Sequence, residues 1–549
     1  MKSYILTLAA AAMACTAAAQ GLHQEVEVER EITPTESEAT RYNLLPQVIL
    51  PSVTPVTLTL SDRAVTAPVR PAFSHLSPVA SNKGIDSDSY PGYFRAGIFP
   101  LFNADASAGY RFLNTDRTRL SAWLQYTGHV YRRDLPASEG DRRYWRDHSV
   151  AGGADLHQAV GRSGIIDAGA AYAYDRYNLY NYSVPSASYS TFPQWVHRFN
   201  ADAVYSVGSE AFAFRAGLHF DRFSFGLRNF VPAREHVYRL NLGANIATGD
   251  RSRFSLALDG VLIHNSVHRD ATSRGLIKLR PVYEFFNGES KFTGHIGVNA
   301  SASVNDGSVF SIAPDVMLGW NPSSYFGLEL RATGGAVANT LAQLYEQSPY
   351  MYSGRGYGHS EVPYDLQATV MIGPARGAYI KVTGGYARAT DWLMPDVALA
   401  PEGHGVAYRP CTIRGWNYKA TLGWKHRYFL IEGSYAMAPS SLKGGFYQWR
   451  DRARRVVDAK IEIYPVKKLT IEAGFQLRQG RAIYDFTGGE AQRLALGNAA
   501  SLSAGITYEV TRTLTLWASG DNLLNYSYVY LGGRPAQGAT GLVGVALKF

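Results

Sequence analysis

Leu469-Thr470-Ile471-Glu472-Ala473-Gly474-Phe475-Gln476-Leu477-Arg478 alternates apolar with polar or small residues over ten positions. Successive side chains of a strand point to opposite faces, so Leu469, Ile471, Ala473, Phe475 and Leu477 share one face and Glu472, Gln476 and Arg478 the other. A carboxylate cannot face lipid, so the second face needs water. Ten residues also suffice for a tilted strand to cross a bilayer. The pattern recurs where Val457, Ala459, Ile461 and Ile463 alternate with Asp458, Lys460, Glu462 and Tyr464. It recurs again where Leu240, Leu242, Ala244 and Ile246 alternate with Arg239, Asn241, Gly243 and Asn245. Asp458, Lys460, Glu462, Glu472, Gln476 and Arg478 are therefore expected to face a wet lumen.

The links between such runs separate into two kinds. Tight ones are expected at 161–164, 208–210, 249–252, 373–377, 425–427, 465–468 and 511–513, and long ones at 133–145, 176–193, 336–360, 389–411, 438–449, 480–497 and 523–538. Short and long links alternate, as periplasmic turns and extracellular loops do in outer-membrane barrels. A soluble sandwich would also show alternating strands. The loop asymmetry and the length of the series favour an all-β transmembrane antiparallel barrel of about 22 strands over 91–549. Composition agrees: 53 Gly, 36 Tyr, 9 Trp and only 18% charged residues suit strands and interfacial aromatics better than helices. Mean hydropathy of -0.16 excludes a bundle of membrane helices.

The other end of the chain reads differently. Lys2, the apolar run Tyr4 to Ala14 and Ala17-Ala18-Ala19 have the order of an export signal over 1–19. After its removal Cys411 is the only cysteine, which leaves no internal disulfide and no cysteine-based metal site. Residues 20–90 carry Pro34, Pro46, Pro51, Pro55, Pro68, Pro71 and Pro78 and are expected to be an extended periplasmic or lumenal segment. Its apolar stretches, Val48 to Leu50 and Val56 to Leu60, suit burial against a barrel or a partner.

At the C-terminus, Gly541, Val543, Val545, Leu547 and Phe549 form one apolar face, and Phe549 ends the chain as a barrel-assembly signal would. The preceding Asn522-Leu523-Leu524-Asn525 and Gly533-Arg534-Pro535, with this last strand, resemble the end of TonB-dependent receptor barrels. That family carries a folded plug and a TonB-contacting box before its barrel. The 70 Pro-rich residues here, with Val26 to Thr35 and Leu44-Leu45-Pro46, instead resemble the start of plugless receptor-like barrels of Bacteroidota type. The resemblance implies the outer membrane of a Gram-negative bacterium, insertion by the barrel-assembly machinery and contact with outer-membrane lipid and lipopolysaccharide.

Chemistry beyond the barrel is sparse in the sequence. Net charge is +9 before signal removal, a surplus that suits lipopolysaccharide phosphates at the rim or anions in the lumen. Arg142 and Arg143, with Arg132, Arg133 and Arg146, are candidates for the rim, and Arg450, Arg452 and Arg454 for a basic wall or rim. No nucleic-acid-binding module is present, and no cofactor is expected. His264 and His268 sit at a strand end, a poor context for a metal. His129, His219 and His295 have hydroxyls nearby but no nucleophile motif, so no enzyme activity is expected. The functional expectation is a barrel subunit or scaffold of an outer-membrane complex, with a lipoprotein or second barrel as partner and the Tyr-rich stretch 345–360 as outer contact surface. The alternative is a channel or transporter for solutes; a barrel-embedded enzyme ranks third.

Overall fold

The computed structural model describes residues 90–549 apart from 100–102, 136–137, 181–190, 210, 228–232, 268–269, 286–290, 307–309, 348–356, 397–406, 439–452, 486–491 and 530–533. The signal expected at 1–19 and the Pro-rich segment at 20–90 lie, save for Tyr90, outside the described residues.

Strands β1 to β8 run Gly92–Phe99, Asn103–Asn114, Thr118–Leu135, Ser138–Val160, Gly164–Tyr180, Thr191–Gly208, Phe212–Leu227 and Ala233–Gly249. Strands β9 to β15 follow at Ser252–Val267, Asp270–Phe285, Phe292–Val304, Phe310–Ser323, Phe326–Val337, Ser360–Ala375 and Ala378–Asp396. Strands β16 to β22 are Ala407–His426, Phe429–Met437, Arg455–Val466, Leu469–Asp485, Gln492–Glu509, Leu514–Asp521 and Thr540–Lys548. One helix, α1 (Leu341–Gln347), lies between β13 and β14. Each strand pairs antiparallel with its neighbour in sequence, and β1 pairs with β22 to close a barrel of 22 strands. This is the expected fold class and strand number, and it is consistent with an outer-membrane barrel.

The two faces of the wall separate by residue type. Leu218 (62% exposed), Leu262, Ile277, Ile296, Leu422 and Val543 stand on an outward belt of exposed apolar side chains. A soluble protein rarely tolerates such a belt, whereas lipid requires it. Tyr172, Tyr238, Trp416 and Trp424 are exposed on the same face, as suits interfacial girdles.

One indole packs at the closing seam. Trp517 on β21 stands opposite Gly544 on β22, which in turn faces Gly97 on β1. The Trp517 ring occupies the space that a side chain on either glycine would fill, and the Arg95 guanidinium lies 3.8 Å from its centroid. The Phe549 backbone exchanges hydrogen bonds of 2.9 and 3.0 Å with Gly92, completing the seam. Gly544→Leu is expected to expel the indole and weaken closure by about 1–3 kcal/mol, the range typical of overpacking. Loss of the heat-resistant, fast-migrating form on gels at a lower temperature than wild type checks this. An unchanged transition would mean that Trp517 has another place to go.

The long-link end differs from expectation. The described residues of 133–145, 176–193, 389–411 and 480–497 are strand, because β3 to β6, β15, β16, β19 and β20 rise past the apolar belt. Above the belt both faces of a strand are wet, so the alternation that marks a spanning segment disappears. On the inner side of these upper halves, Tyr131, Trp145 and Tyr177 are buried. At the top of β15, Asp396 pairs parallel with Tyr484 of β19, past the shorter β17 and β18.

Candidate functional site at the long-link mouth

The link between β13 and β14 does not project outward. Thr340 caps α1: its hydroxyl accepts from the Gln343 backbone N–H at 3.2 Å, while Gln343 Oε1 accepts from the Thr340 N–H at 3.2 Å. This reciprocal pair is a capping box, a signal present in Thr340-Leu341-Ala342-Gln343 that a reading of 336–360 as plain loop misses. Helical spacing places Leu341, Leu344 and Tyr345 on one face, and all three are buried. They pack against Tyr177 of β5, Val196 of β6, Phe223 and Phe225 of β7 and Ala233 of β8. The parity of each strand, set by exposed Tyr172, Trp195, Leu218 and Tyr238, puts those five side chains on the inner face. Leu393 of β15 and Tyr408 of β16 complete the cluster from another part of the wall. The Tyr408 hydroxyl donates to the Leu344 carbonyl at 2.9 Å, and the Tyr408 N–H donates to the Tyr357 hydroxyl at 3.2 Å. Helix α1 is thus an element inside the ring of strands. Burial pushes the Tyr345 phenol well above its usual range, with Asp175 adding to the effect.

A polar latch holds the start of this helix. Glu235 of β8 is fully buried, and its two carboxylate oxygens accept from the Leu341 N–H at 2.8 and 3.0 Å. Arg274 of β10 lies 4.0 Å from Glu235 and donates to the Asn339 carbonyl at 2.7 Å. Asn265 of β9 stands between them; with its amide oriented to suit these neighbours, its nitrogen donates to Glu235 at 2.7 Å and its oxygen accepts from Arg274 at 3.0 Å. Three adjacent strands therefore converge on one helix end. His359, at the far end of the link, receives the same treatment: its N–H donates to Asp306 and its ring nitrogen lies 3.1 Å from the Gly275 carbonyl. Burial lowers the affinity of that imidazole for a proton.

The link between β21 and β22 also folds inward. Asn522 and Asn525 adopt positive φ (45° and 51°), and the Asn522 amide donates to the Tyr526 and Gln537 carbonyls at 3.0 and 2.7 Å. The turn delivers Arg534, which is fully buried, to a cage of Tyr131, Trp145 and Tyr177, 5.6–6.0 Å from their ring centroids. Arg534 donates to the Tyr131 hydroxyl at 3.2 Å and lies 3.6 Å from Asp147. Arg481 of β19 donates to the Val529 carbonyl at 2.7 Å. The Asn522-Leu523-Leu524-Asn525 turn and Arg534 are thus the corner and anchor of a second inward link. Both links touch Tyr177.

Below them the inner wall is lined with paired ionisable side chains. Arg198 and Asp175 (2.5 Å), Arg239 and Asp221 (2.5 Å), His295 and Asp315 (3.2 Å) and Arg95 and Asp105 (3.0 Å) are inward neighbours on adjacent strands. Among the lumen-facing candidates, Gln476 donates to Asp458 at 2.9 Å and Lys460 pairs with Glu462, which stands opposite Glu472. Arg478 stands opposite Val456 on the neighbouring strand. A cavity of about 390 Å³ toward the short-link end is lined by Arg111, Arg119, Asp155, His157, Asp167 and Asp202.

The remaining candidates are dispersed. Arg142 is exposed and 3.4 Å from Asp134, and Arg143 stands opposite Arg133 in the β3–β4 hairpin. Arg454 is exposed just before β18, whereas Arg450 and Arg452 lie outside the described residues. His264 is within β9, opposite His236, and His268 lies outside the described residues. The expectation that 345–360 forms an outer contact surface is corrected at Tyr345 and Tyr357, which are buried in the mouth; Tyr350 and Tyr352 lie outside the described residues.

No protein-family model and no curated protein matches this chain. Solved structures do match its fold. A mutant of the ferric enterobactin receptor of Pseudomonas aeruginosa superposes with a TM-score of 0.64 at 10% identity, over 83% of this chain and 80% of that one. The siderophore receptor PirA of Acinetobacter baumannii gives 0.64 at 8% identity over 83% and 80%. The FrpB iron transporter of Neisseria meningitidis gives 0.64 at 9% identity over 83% and 81%. The barrel has the architecture of these receptors. At such identities the likeness speaks for fold alone.

Proposed function

We propose that this protein is a gated conduit in the outer membrane of a Gram-negative bacterium, with α1 and the link around Arg534 closing its extracellular mouth. The observation that carries the reading is the buried cluster between α1 and the inner faces of β5 to β8. A barrel wall is complete without such an element, and a ring of this many strands otherwise encloses an aqueous channel. The polar inner wall beneath it suits a hydrated solute. The structural likeness to receptors and an iron transporter supports a role connected with transport.

The reading as a complex subunit draws on a partner that caps a plugless barrel and on an outward Tyr-rich loop, and the inward turn of Tyr345 and Tyr357 weakens the second of these supports. Planar-bilayer recording decides between the two. Purified full-length barrel is expected to conduct rarely, and deletion of 341–357 with a short Gly-Ser linker to give steady openings, more frequent by roughly tenfold or above. A barrel silent in both forms, recovered stoichiometrically with a lipoprotein or second barrel, would return the subunit reading. The same recordings without residues 20–90 test whether that segment is lumenal or periplasmic: raised conductance would place it in the lumen, and unchanged conductance in the periplasm.

A further inference from the structure

The outer surface of one side of the barrel is charged in a way that neither gate nor lumen uses. On β4 to β9 the outward positions just above the aromatic belt hold Arg146, Arg176, Arg222 and Arg234, all exposed. Their facing follows from parity with exposed Val150, Tyr172, Leu218 and Leu240 on the same strands. Histidines fill the gaps: Arg176 stands opposite His148, Arg222 opposite His236, and His236 opposite His264 with rings 6.3 Å apart. Hydroxyls complete the array, with Arg234 opposite Ser224 and Ser266.

No Asp or Glu occupies an outward position of β4 to β9 among the described residues. The acids of these strands, such as Asp155, Asp175, Asp202, Asp221 and Asp259, are on the inner face. An ordinary solvated surface mixes both signs. Here a one-sign row spans four strand spacings, about 19 Å, directly above Tyr172, Phe199, Phe220 and Tyr238. Those aromatics mark the level of lipid headgroups.

We propose that this row is a docking surface for a phosphorylated lipid headgroup of the outer leaflet. Arg guanidinia grip phosphate oxygens in pairs, and the exposed apolar residues beneath take the acyl chains. A soluble anion would have no reason to choose a row aligned with the belt. A smaller case recurs at Arg388 and Arg414, which face each other on β15 and β16 above Tyr386 and Trp416.

The test uses native mass spectrometry of the full chain in detergent with bisphosphorylated lipid A, its phosphate-free form and inorganic phosphate. Wild type is expected to hold the phosphorylated lipid, to release it as salt rises, and to bind the phosphate-free lipid far more weakly. Arg176→Gln, Arg222→Gln and Arg234→Gln together should weaken binding roughly a hundredfold, at about fivefold per interfacial cation. Inorganic phosphate at equal concentration should not compete. Equal binding of the two lipids to wild type overturns the proposal, as does a folded triple variant that binds unchanged. Full competition by inorganic phosphate would overturn it too, in favour of a free-anion site. The wild-type comparison of the two lipids decides the matter even if the triple variant does not fold.

Discussion

Glu235→Ala is expected to open the mouth. The carboxylate is the acceptor for the Leu341 N–H and the buried partner of Arg274 and Asn265, so its loss takes a partner from three polar groups at once. Removing one member of a buried charged pair costs about 3–5 kcal/mol. The strands keep their ladder, so the cost falls on the docking of α1. A shift of even about 3 kcal/mol changes a closed-to-open ratio by more than a hundredfold. Single-channel recording should show frequent openings, and limited proteolysis should cut between β13 and β14 much faster than in wild type. Glu235→Gln, which keeps one acceptor, should fall between. Rare openings and unchanged cutting in the Ala variant would mean that the apolar cluster alone holds the helix.

Arg534→Ala is the second variant of large effect. It empties a cage of three aromatic rings and removes the buried cation beside Asp147, again a loss of about 3–5 kcal/mol. Amide exchange in 522–539 should accelerate while that of β21 and β22 stays slow. Asp147→Asn in the Arg534→Ala background should cost little more, since the ion pair it would break is already gone. Additive losses from the two changes would show that Arg534 and Asp147 do not act together.

The spanning strands were legible because lipid imposes a strict alternation: β8, β18 and β19 lie where Leu240, Val457 and Leu469 begin their apolar rows. The upper halves of β3 to β6 were not, since Arg132-Arg133 and Arg142-Arg143 stand above the belt, where neither face must be apolar. Gly533-Arg534-Pro535 stood out in the sequence as a motif, but its anchoring role depends on Tyr131, Trp145 and Tyr177, hundreds of residues away. The inward turn of α1 was hidden for the same reason. Its capping box is local, whereas the acceptor at Glu235 comes from a strand 106 positions earlier.

The seam between β1 and β22 carries a consequence for time rather than strength. Every other antiparallel pair in the wall joins strands adjacent in sequence, so each hairpin forms with little loop entropy to overcome. The pairing of Tyr93 with Lys548, like the Gly92 and Phe549 hydrogen bonds beside it, joins the two ends of the barrel strands, the widest sequence separation of any pairing in the wall. Topology therefore makes this the late event. Until Trp517 settles over Gly97 and Gly544, the sheet has two open edges and separates no compartments, however complete its hairpins are.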